Sequence, residues 1–302
     1  MPFRGSPPDP SCAPISVAGG ARAPDVLSLV ESAGWAYALP DIERLVSVDP
    51  EGMLVATAGR ERADEVLGCV YASMWGSLGF IGLLLVRPDM RGRGLGGRLA
   101  REGVRALRAR GCSCVGLDAV PEAITLYQRL GFAPEWESMR MAVDTSVVDR
   151  PRTSVRAREA TDDDMATVLL LDRLGWGADR SRLLRLLRGS GAARVAVAPE
   201  EGRPRAFGYV RRGVRGWRMG PWVAEATGEG AEAAMAVLSW AMDASEHEPL
   251  SLGVPAYNAQ AVEALNRVYA VRMRSCTRMY LGDPGPARSP AGSWAIGAPE
   301  KG

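Results

Sequence analysis

A short segment rich in glycine and arginine carries the clearest chemical signal in this sequence. It reads Arg91-Gly92-Arg93-Gly94-Leu95-Gly96-Gly97 and follows the apolar run Leu78–Val86. Small residues between a strand and a helix leave backbone N–H groups open to an anion. Arg91 and Arg93 add charged donors that suit phosphate oxygens. The segment therefore predicts a cradle for a pyrophosphate group.

Two classes of cofactor use such a cradle. Gly92, Gly94 and Gly97 satisfy the dinucleotide pattern G-x-G-x-x-G, and Asp118 ends the next predicted strand, where a ribose ligand would stand. Against a dinucleotide, residues 87–91 separate the strand from the first glycine, whereas a Rossmann turn begins almost at the strand end. The glycine pattern alone is a weak signal, and the dinucleotide stays as the disfavoured alternative.

The elements around the loop predict a mixed α/β fold. Apolar residues at helical spacing predict two amphipathic helices before residue 50, and alternating or continuous apolar runs predict strands over 53–58, 65–73 and 80–86. A helix is expected from 94 to 110, followed by a strand over 112–117 and a helix over 122–130. This order places the glycine loop between a strand end and a helix start.

The chain also repeats itself at an offset of roughly 140 residues, which indicates two copies of one domain. The matching pairs are Gly34-Trp35 with Gly175-Trp176, Leu67-Gly68-Cys69-Val70 with Phe207-Gly208-Tyr209-Val210, and Met139-Arg140-Met141 with Thr277-Arg278-Met279. We expect a first domain over 13–147 and a second over 153–283. Residues 1–12 and the Gly-, Pro- and Ser-rich stretch 284–302 are predicted to be disordered.

Two motifs in the first copy resemble those of the GNAT (GCN5-related N-acetyltransferase) superfamily. Arg91, Gly94 and Gly96 occupy the defined positions of its motif Q/R-x-x-G-x-G/A. Residues 123–132, Ala-Ile-Thr-Leu-Tyr-Gln-Arg-Leu-Gly-Phe, resemble its A-x-x-L-Y-x-K-x-G-F helix, with Arg129 in place of lysine. Val120 stands where the family usually has asparagine. The resemblance implies two tandem GNAT folds, each a splayed, mostly antiparallel sheet flanked by helices.

The resemblance also implies acetyl-CoA as the cofactor and a role for each matching residue. An amine acceptor would attack directly in a ternary complex, and Tyr127 would protonate the leaving thiolate as the general acid. Asp118, Tyr257 and Asn258 are candidates for the acceptor pocket. Asp118 is also a candidate general base, with a capping or turn role after its strand as the alternative. The cofactor-binding residues implied by the resemblance are Leu84, Leu85, Val86, Arg91, Gly92, Arg93, Gly94, Leu95, Gly96 and Gly97.

The second copy lacks the loop. Gly228, Ala231 and Ala233 fall where the first copy has Arg91, Gly94 and Gly96, and Leu265 replaces the tyrosine of the later helix. We therefore expect one cofactor site in the chain, in the first copy, and a structural or pocket-lining role for the second.

Composition excludes several other functions. The net charge of +2 gives no global case for nucleic acid or a membrane surface, and the 47% apolar content is that of a globular protein. His247, the one histidine, lies in a polar stretch, and the five cysteines lack zinc spacing, so no metal is expected. The N-terminus lacks the apolar core of a signal peptide, which predicts a cytoplasmic protein.

The favoured function is transfer of an acetyl group from acetyl-CoA to a primary amine on a small molecule, by a monomer or homodimer. A protein N-acetyltransferase is one alternative. The other is a CoA-responsive binding or regulatory protein without turnover, because the strand before the loop carries no carboxylate that could act as a general base.

Overall fold

The computed structural model describes residues 12–59 and 65–297, and its helices and strands confirm the predicted α/β class. The described residues form two compact units. One comprises 12–59, 65–74 and 81–112; the other comprises 75–80 and 113–297. These units do not coincide with the two sequence repeats, because the end of the first repeat is built into the second unit. The predicted disorder of residues 1–11 lies outside the described residues.

The first unit opens with two short helices and continues through strands to a long helix. Its sheet has the strand order β1-β2-β3-β4, and β2 is antiparallel to both β1 and β3. Residues 75–80, at the turn between the last two strands, belong to the second unit. The elements are β1 (Ile15–Val17), α1 (Ala23–Ser32), α2 (Leu39–Val48), β2 (Met53–Thr57), β3 (Val66–Trp75), β4 (Leu78–Val86) and α3 (Leu95–Ala109).

Helices α1 and α2 form where apolar residues recur at helical spacing. Each carries proline in its first turn, where the missing N–H costs nothing. Val26 and Val30 of α1 and Ile42 and Leu45 of α2 are buried in one cluster with residues of β2, β3 and β4. This packing fixes the helices on the sheet whose last strand leads to the glycine loop.

A glycine lets α3 approach the sheet. A Cβ atom built on Gly68 of β3 would lie 2.7 Å from the Leu85 carbonyl oxygen and 2.9 Å from Cδ1 of Leu99. A side chain here would force the backbone of β4 away from β3 and displace the Leu99 side chain of α3. Gly68 therefore helps to hold the start of α3 at the end of β4.

The second unit contains the end of the first repeat and all of the second. Its strand order is β5-β12-β6-β11-β10-β9-β8-β7, with β13 paired to β10. The elements are β5 (Cys114–Ala119), α4 (Ile124–Gln128), β6 (Ala133–Val143), β7 (Arg158–Glu159), α5 (Met165–Trp176), α6 (Ser181–Gly189), β8 (Arg194–Ala198), β9 (Ala206–Gly213), β10 (Gly216–Ala224), α7 (Gly228–Ala244), β11 (Leu250–Pro255), α8 (Ala259–Arg267), β12 (Val271–Leu281) and β13 (Ser293–Ala295).

The two repeats exchange strands at the centre of this unit. β6 of the first repeat lies between β11 and β12 of the second, and β12 lies between β5 and β6 of the first. All three pairings are antiparallel. The last strand of each repeat thus takes neighbours from the other repeat, which is why the compact units differ from the sequence repeats.

Equivalent contacts confirm the internal repeat. The Tyr71 hydroxyl of β3 donates to the Leu45 carbonyl of α2 at 2.9 Å. In the second repeat the Tyr209 hydroxyl of β9 donates to the Leu184 carbonyl of α6 at 3.2 Å. The same bond, between the same two elements, holds the second helix of each repeat on its sheet.

The predicted disorder of the C-terminal stretch is wrong for residues 284–297. Tyr280 donates from its hydroxyl to the Ala287 carbonyl at 2.8 Å, and β13 follows as a buried strand on β10. The composition is poor in large apolar residues, but Trp294 and Ile296 supply a buried anchor. Residues 298–302 lie outside the described part of the chain.

In the described residues no helix is long and apolar enough to cross a bilayer. Over the same ranges, no group of three or more His, Cys, Asp or Glu side chains is placed to hold a metal ion.

Candidate active site

The glycine loop connects β4 to α3 through a short turn and two left-handed glycines. Residues Pro88–Met90 form a single 3-10 turn, and Arg91 is extended. Gly92 then has φ +74° and Gly94 has φ +82°, values that favour glycine over any L residue. A Cβ at either position would meet nothing within 4 Å, so backbone conformation rather than crowding requires these glycines.

The start of α3 is not capped by any described side chain. Gly94 is its N-cap residue and has no side chain to offer. The first backbone N–H with a partner from the loop is that of Arg98, which donates to the Gly94 carbonyl at 3.2 Å. The N–H groups of Leu95, Gly96 and Gly97 precede it and point out of the helix end, as the first donors of every α-helix do. The helix dipole adds partial positive charge there.

Two exposed arginines flank this helix start. Arg91 donates from Nε to the Val86 carbonyl at 3.0 Å, which ties the loop to the end of β4. Its terminal N–H groups have no partner in the described part of the chain. Arg87 is different, because it pairs with Asp89 at 2.6 Å and with Glu65. The positive charges that the loop can offer to an anion are therefore those of Arg91 and Arg93.

Strand β4 is distorted just before the loop. Leu83 has φ +47°, a conformation that a leucine rarely adopts and that signals a local constraint. The buried Cys69 thiol donates to the Leu83 carbonyl at 3.3 Å. Burial raises the pKa of Cys69 to about 12, so this thiol stays protonated and acts as a packing group. Beyond the distortion, Leu84 and Val86 are partly exposed and Leu85 is buried.

Tyr127 lies on the short helix α4 of the second unit. Only 6% of the residue is exposed, and its ring meets that of Phe132 edge-on at 5.7 Å. No hydrogen bond to its hydroxyl occurs within the described ranges. Burial raises the pKa of Tyr127 above its usual value, so the hydroxyl keeps its proton at neutral pH. A protonated hydroxyl without an internal partner is able to donate.

Asp118 is enclosed. Its side chain is 0% exposed and accepts from Nε of Arg278 at 2.7 Å and from the Arg140 guanidinium at 3.2 Å. Arg278 is itself buried, and its guanidinium lies 4.7 Å from the Phe80 ring and 4.6 Å from the Trp136 ring. A carboxylate held by two arginines in this way joins β5 of one repeat to β12 of the other. These contacts give Asp118 a structural task and leave it no open face toward an acceptor.

Tyr257 and Asn258 also have internal partners. The Tyr257 hydroxyl donates to the Pro290 carbonyl at 3.1 Å. The Asn258 side chain caps α8 by accepting from the Ala261 N–H at 3.1 Å and donates to the Ser293 carbonyl at 2.8 Å. Both residues hold the C-terminal segment. This segment was predicted to be disordered, although its sequence contains one largely apolar run, Ser293-Trp294-Ala295-Ile296.

The counterpart of the loop in the second repeat is built differently. Helix α7 begins at Gly228, and the Thr227 hydroxyl accepts from the Gly230 N–H at 3.0 Å. Acidic residues surround this start: Glu225 pairs with Arg203 and Arg205, and Glu229 pairs with Arg205 at 2.7 Å. One donor of this helix start is thus bonded by its own chain, and the two carboxylates beside it are paired with arginines.

Both halves of the chain match acetyltransferase family models. Residues 28–132 match the model described as "Acetyltransferase (GNAT) family", and residues 168–290 match the model described as "Acetyltransferase (GNAT) domain". Together these matches cover most of the chain and respect the internal repeat. The chain is a tandem member of the GNAT superfamily.

Curated relatives include acyltransferases that act on small molecules by name. A holothin acyltransferase of Pseudoalteromonas sp. is 30% identical over 193 residues, which are 63% of this GNAT chain and 62% of the relative. A mycothiol acetyltransferase of Saccharopolyspora erythraea is 34% identical over 123 residues, 39% of this chain and 35% of the relative. The chain thus spans less than two thirds of the length of these relatives.

Solved structures share the fold over most of the chain. A putative acetyltransferase from Pyrococcus horikoshii superposes with a TM-score of 0.80 at 23% identity, covering 100% of this chain and 98% of that one. A tandem GNAT protein from the clavulanic acid biosynthesis pathway superposes with a TM-score of 0.66 at 13% identity, covering 89% and 98%. At these identities the likeness establishes the architecture alone.

Proposed function

We propose that this tandem GNAT protein transfers an acetyl group from acetyl-CoA to a primary amine, and that its single cofactor site lies in the first repeat. The observation that carries the proposal is the uncapped start of α3, which directly follows two left-handed glycines and two exposed arginines. At the corresponding start of α7 the Thr227 hydroxyl accepts from the Gly230 N–H, and Glu225 and Glu229 lie beside it, paired with arginines.

The residues of the loop fit the pyrophosphate of CoA. The N–H groups of Leu95, Gly96 and Gly97 would bind its oxygens, and the open space over Gly92 and Gly94 leaves room for them. Arg91 and Arg93 would neutralise its charge. Gly96 belongs to the same surface, because a Cβ there would meet only Cγ2 of Val86 at 3.7 Å. Side chains at these positions would project over the donors.

The backbone of Leu84, Leu85 and Val86 would bind the pantetheine arm. The distortion at Leu83 turns the peptide groups that follow it, and Leu84 and Val86 remain partly exposed. A backbone N–H in this stretch would polarise the thioester carbonyl. Acetyl-CoA supplies the activated acetyl group when it is bound.

Tyr127 would donate its proton to the sulfur that leaves. The hydroxyl is protonated at neutral pH, as an ordinary tyrosine is, and this is the state that a general acid needs. The neutral acceptor amine would attack the thioester carbon directly, and the C–S bond would break as sulfur takes the Tyr127 proton. The amine nitrogen would lose a proton to solvent, and solvent would restore the Tyr127 hydroxyl. The catalytic advantage would come chiefly from positioning the two reactants.

The acceptor proposed is an amine on a small molecule. Two relatives are named holothin acyltransferase and mycothiol acetyltransferase, which supports this class. A second candidate is a CoA-responsive regulatory protein without turnover. The observation that favours it is the burial of Asp118, the candidate general base, between Arg140 and Arg278.

Thiol release from acetyl-CoA against a panel of small amines tests the proposal. We expect at least one amine to support turnover, and Tyr127→Phe to lower kcat by about 10²-fold or more while leaving acetyl-CoA affinity unchanged. Phe132→Leu is the matched control for packing, since it alters the ring beside Tyr127 without removing a hydroxyl. A chain that binds acetyl-CoA but acetylates none of the amines supports the regulatory candidate instead.

A further inference from the structure

The second repeat contains a cleft that the chain fills with its own C-terminal segment. β10 and β11 pair in parallel only over residues 217–219 and 250–252. At Gly220, where φ is +146°, β10 stops following β11, and beyond this point it pairs with β13. β13 lies antiparallel on β10, with Trp222 opposite Ala295 and Val223 opposite Ser293.

Backbone hydrogen bonds hold the segment from both sides of the cleft. On the β10 side the Ala224 N–H donates to the Gly292 carbonyl at 3.0 Å. On the β11 side the Ile296 N–H donates to the Gly253 carbonyl at 2.8 Å. The Asn258 side chain adds a third bond, to the Ser293 carbonyl. This is the pattern of an extended peptide added as a strand.

The side chains of the segment are buried in the core of the second repeat. Trp294 is 2% exposed, and its ring centroid lies 4.9 Å from that of Trp222. Glycines make room for the backbone: a Cβ on Gly253 would lie 2.8 Å from Cγ1 of Ile296, and one on Gly220 would lie 2.2 Å from the Ile296 carbonyl oxygen. The walls of the cleft are therefore shaped to this segment.

A buried charge also depends on the segment. Arg211 is 4% exposed and donates to the Gly220 carbonyl at 2.8 Å and to the Gly297 carbonyl at 3.1 Å. Withdrawal of the segment would remove one acceptor from a buried guanidinium, which is unfavourable.

We propose that this cleft is a binding site for an extended apolar peptide, and that its ligand is the chain's own segment 290–297. This inference rests on the proposed function, which places the pantetheine arm beside Val86 of the first repeat. Val223 is the counterpart of Val86 in the second repeat. The segment lies along the second repeat on the course that the pantetheine arm would take along the first. The second repeat therefore takes no CoA: its cleft is occupied by peptide, and its helix start is capped.

The experiment separates the segment from the chain after folding. A specific protease site is inserted between the exposed residues Arg288 and Ser289 of the full chain, and the folded protein is then cut. We expect the segment to stay bound through gel filtration and to exchange with an excess of fluorescently labelled peptide of residues 289–297. The Trp294→Ala peptide should bind roughly 100-fold more weakly or worse, and the Ser289→Ala peptide should bind like the native one.

Loss of the segment on cutting without any change in melting temperature would overturn the inference, as would equal binding of the Trp294→Ala peptide. Displacement of the labelled peptide by acetyl-CoA would also overturn it, because the cleft would then be a cofactor site. If the cut chain unfolds, hydrogen exchange on the uncut chain tests the inference instead. Trp294→Ala, but not Ser289→Ala, should lose protection at Val223 and Ala224, and equal protection in both would contradict the inference. Selective peptide binding by a chain that acetylates no amine would sink only the proposed function.

Discussion

The starts of α3 and α7 are the same point of a repeated fold, and they differ in what satisfies their backbone donors. In α3 no side chain caps the first N–H groups, and two left-handed glycines and two exposed arginines directly precede them. In α7 the Thr227 hydroxyl accepts from the Gly230 N–H, and carboxylates stand nearby. The unpaired N–H groups at a helix start can be bonded by groups of the same chain or by a bound anion. On the proposed function, the repeated scaffold leaves one helix start open to an anion and caps the other with its own chain.

The scaffold itself depends on both copies. We expect a chain of residues 1–147 to be insoluble or unfolded, because β6 would lose both neighbours, β11 and β12, and β5 would lose β12. Strand edges of this length promote aggregation. Circular dichroism and gel filtration of the half-chain and of the full chain measure this effect. A monomeric, cooperatively folding half-chain would show that the exchange of strands is not needed for folding.

Substituting the glycine at each helix start should separate the two copies. Gly94→Val forces a β-branched residue into φ +82° and places methyl groups over the N–H donors. Losing two or three charge-assisted bonds weakens acetyl-CoA binding by roughly 100-fold or more. Gly228→Val is the matched control, since its Cβ meets nothing within 4 Å and its φ is ordinary. Calorimetry should find the Gly228→Val affinity within about twofold of the native one, and a large loss there would refute the comparison.

Removing a charged side chain should weaken acetyl-CoA binding at the start of α3 but not at the start of α7. Arg91→Ala and Arg93→Ala should each weaken acetyl-CoA binding by roughly tenfold, because each removes a charged donor from an exposed anion site. The loss should shrink as salt rises, since exposed charges are screened. Arg203→Ala, which removes an exposed partner of Glu225, serves as the control. Equal losses at Arg91 and Arg203 would mean that the affinity reflects general charge.

The smallest effect is expected at the cap of α7. Thr227→Ala removes the acceptor for the Gly230 N–H and should lower the free energy of unfolding by about 1 kcal/mol. Acetyl-CoA affinity should not change. Denaturant titration and calorimetry on one preparation measure both quantities. A change in cofactor affinity without a change in stability would place the anion site at α7.

Local features of the site could be predicted from the sequence, because they depend on residues close together in the chain. The left-handed glycines, the helix start at Leu95 and the position of Tyr127 on a helix all follow from short motifs. The function of those residues stays a prediction until a ligand is measured.

Long-range pairings could not be predicted in the same way. The repeated motifs at 139–141 and 277–279 indicate equivalent positions in the two copies but do not specify which strands pair, so the exchange between repeats was missed. Asp118 looked like a possible base because its partners, Arg140 and Arg278, lie far along the chain. The C-terminal segment was predicted to be disordered from its Gly, Pro and Ser content, which outweighed the anchor at Trp294.

Isothermal titration of the full chain with acetyl-CoA tests the central claim most directly. We expect one acetyl-CoA site per chain in the native protein and no measurable binding in the double variant Arg91→Ala with Gly94→Val. In Gly228→Val we expect one site of unchanged affinity. Two sites in the native chain, or binding that survives the double variant, would contradict the assignment of a single cofactor site to the first repeat.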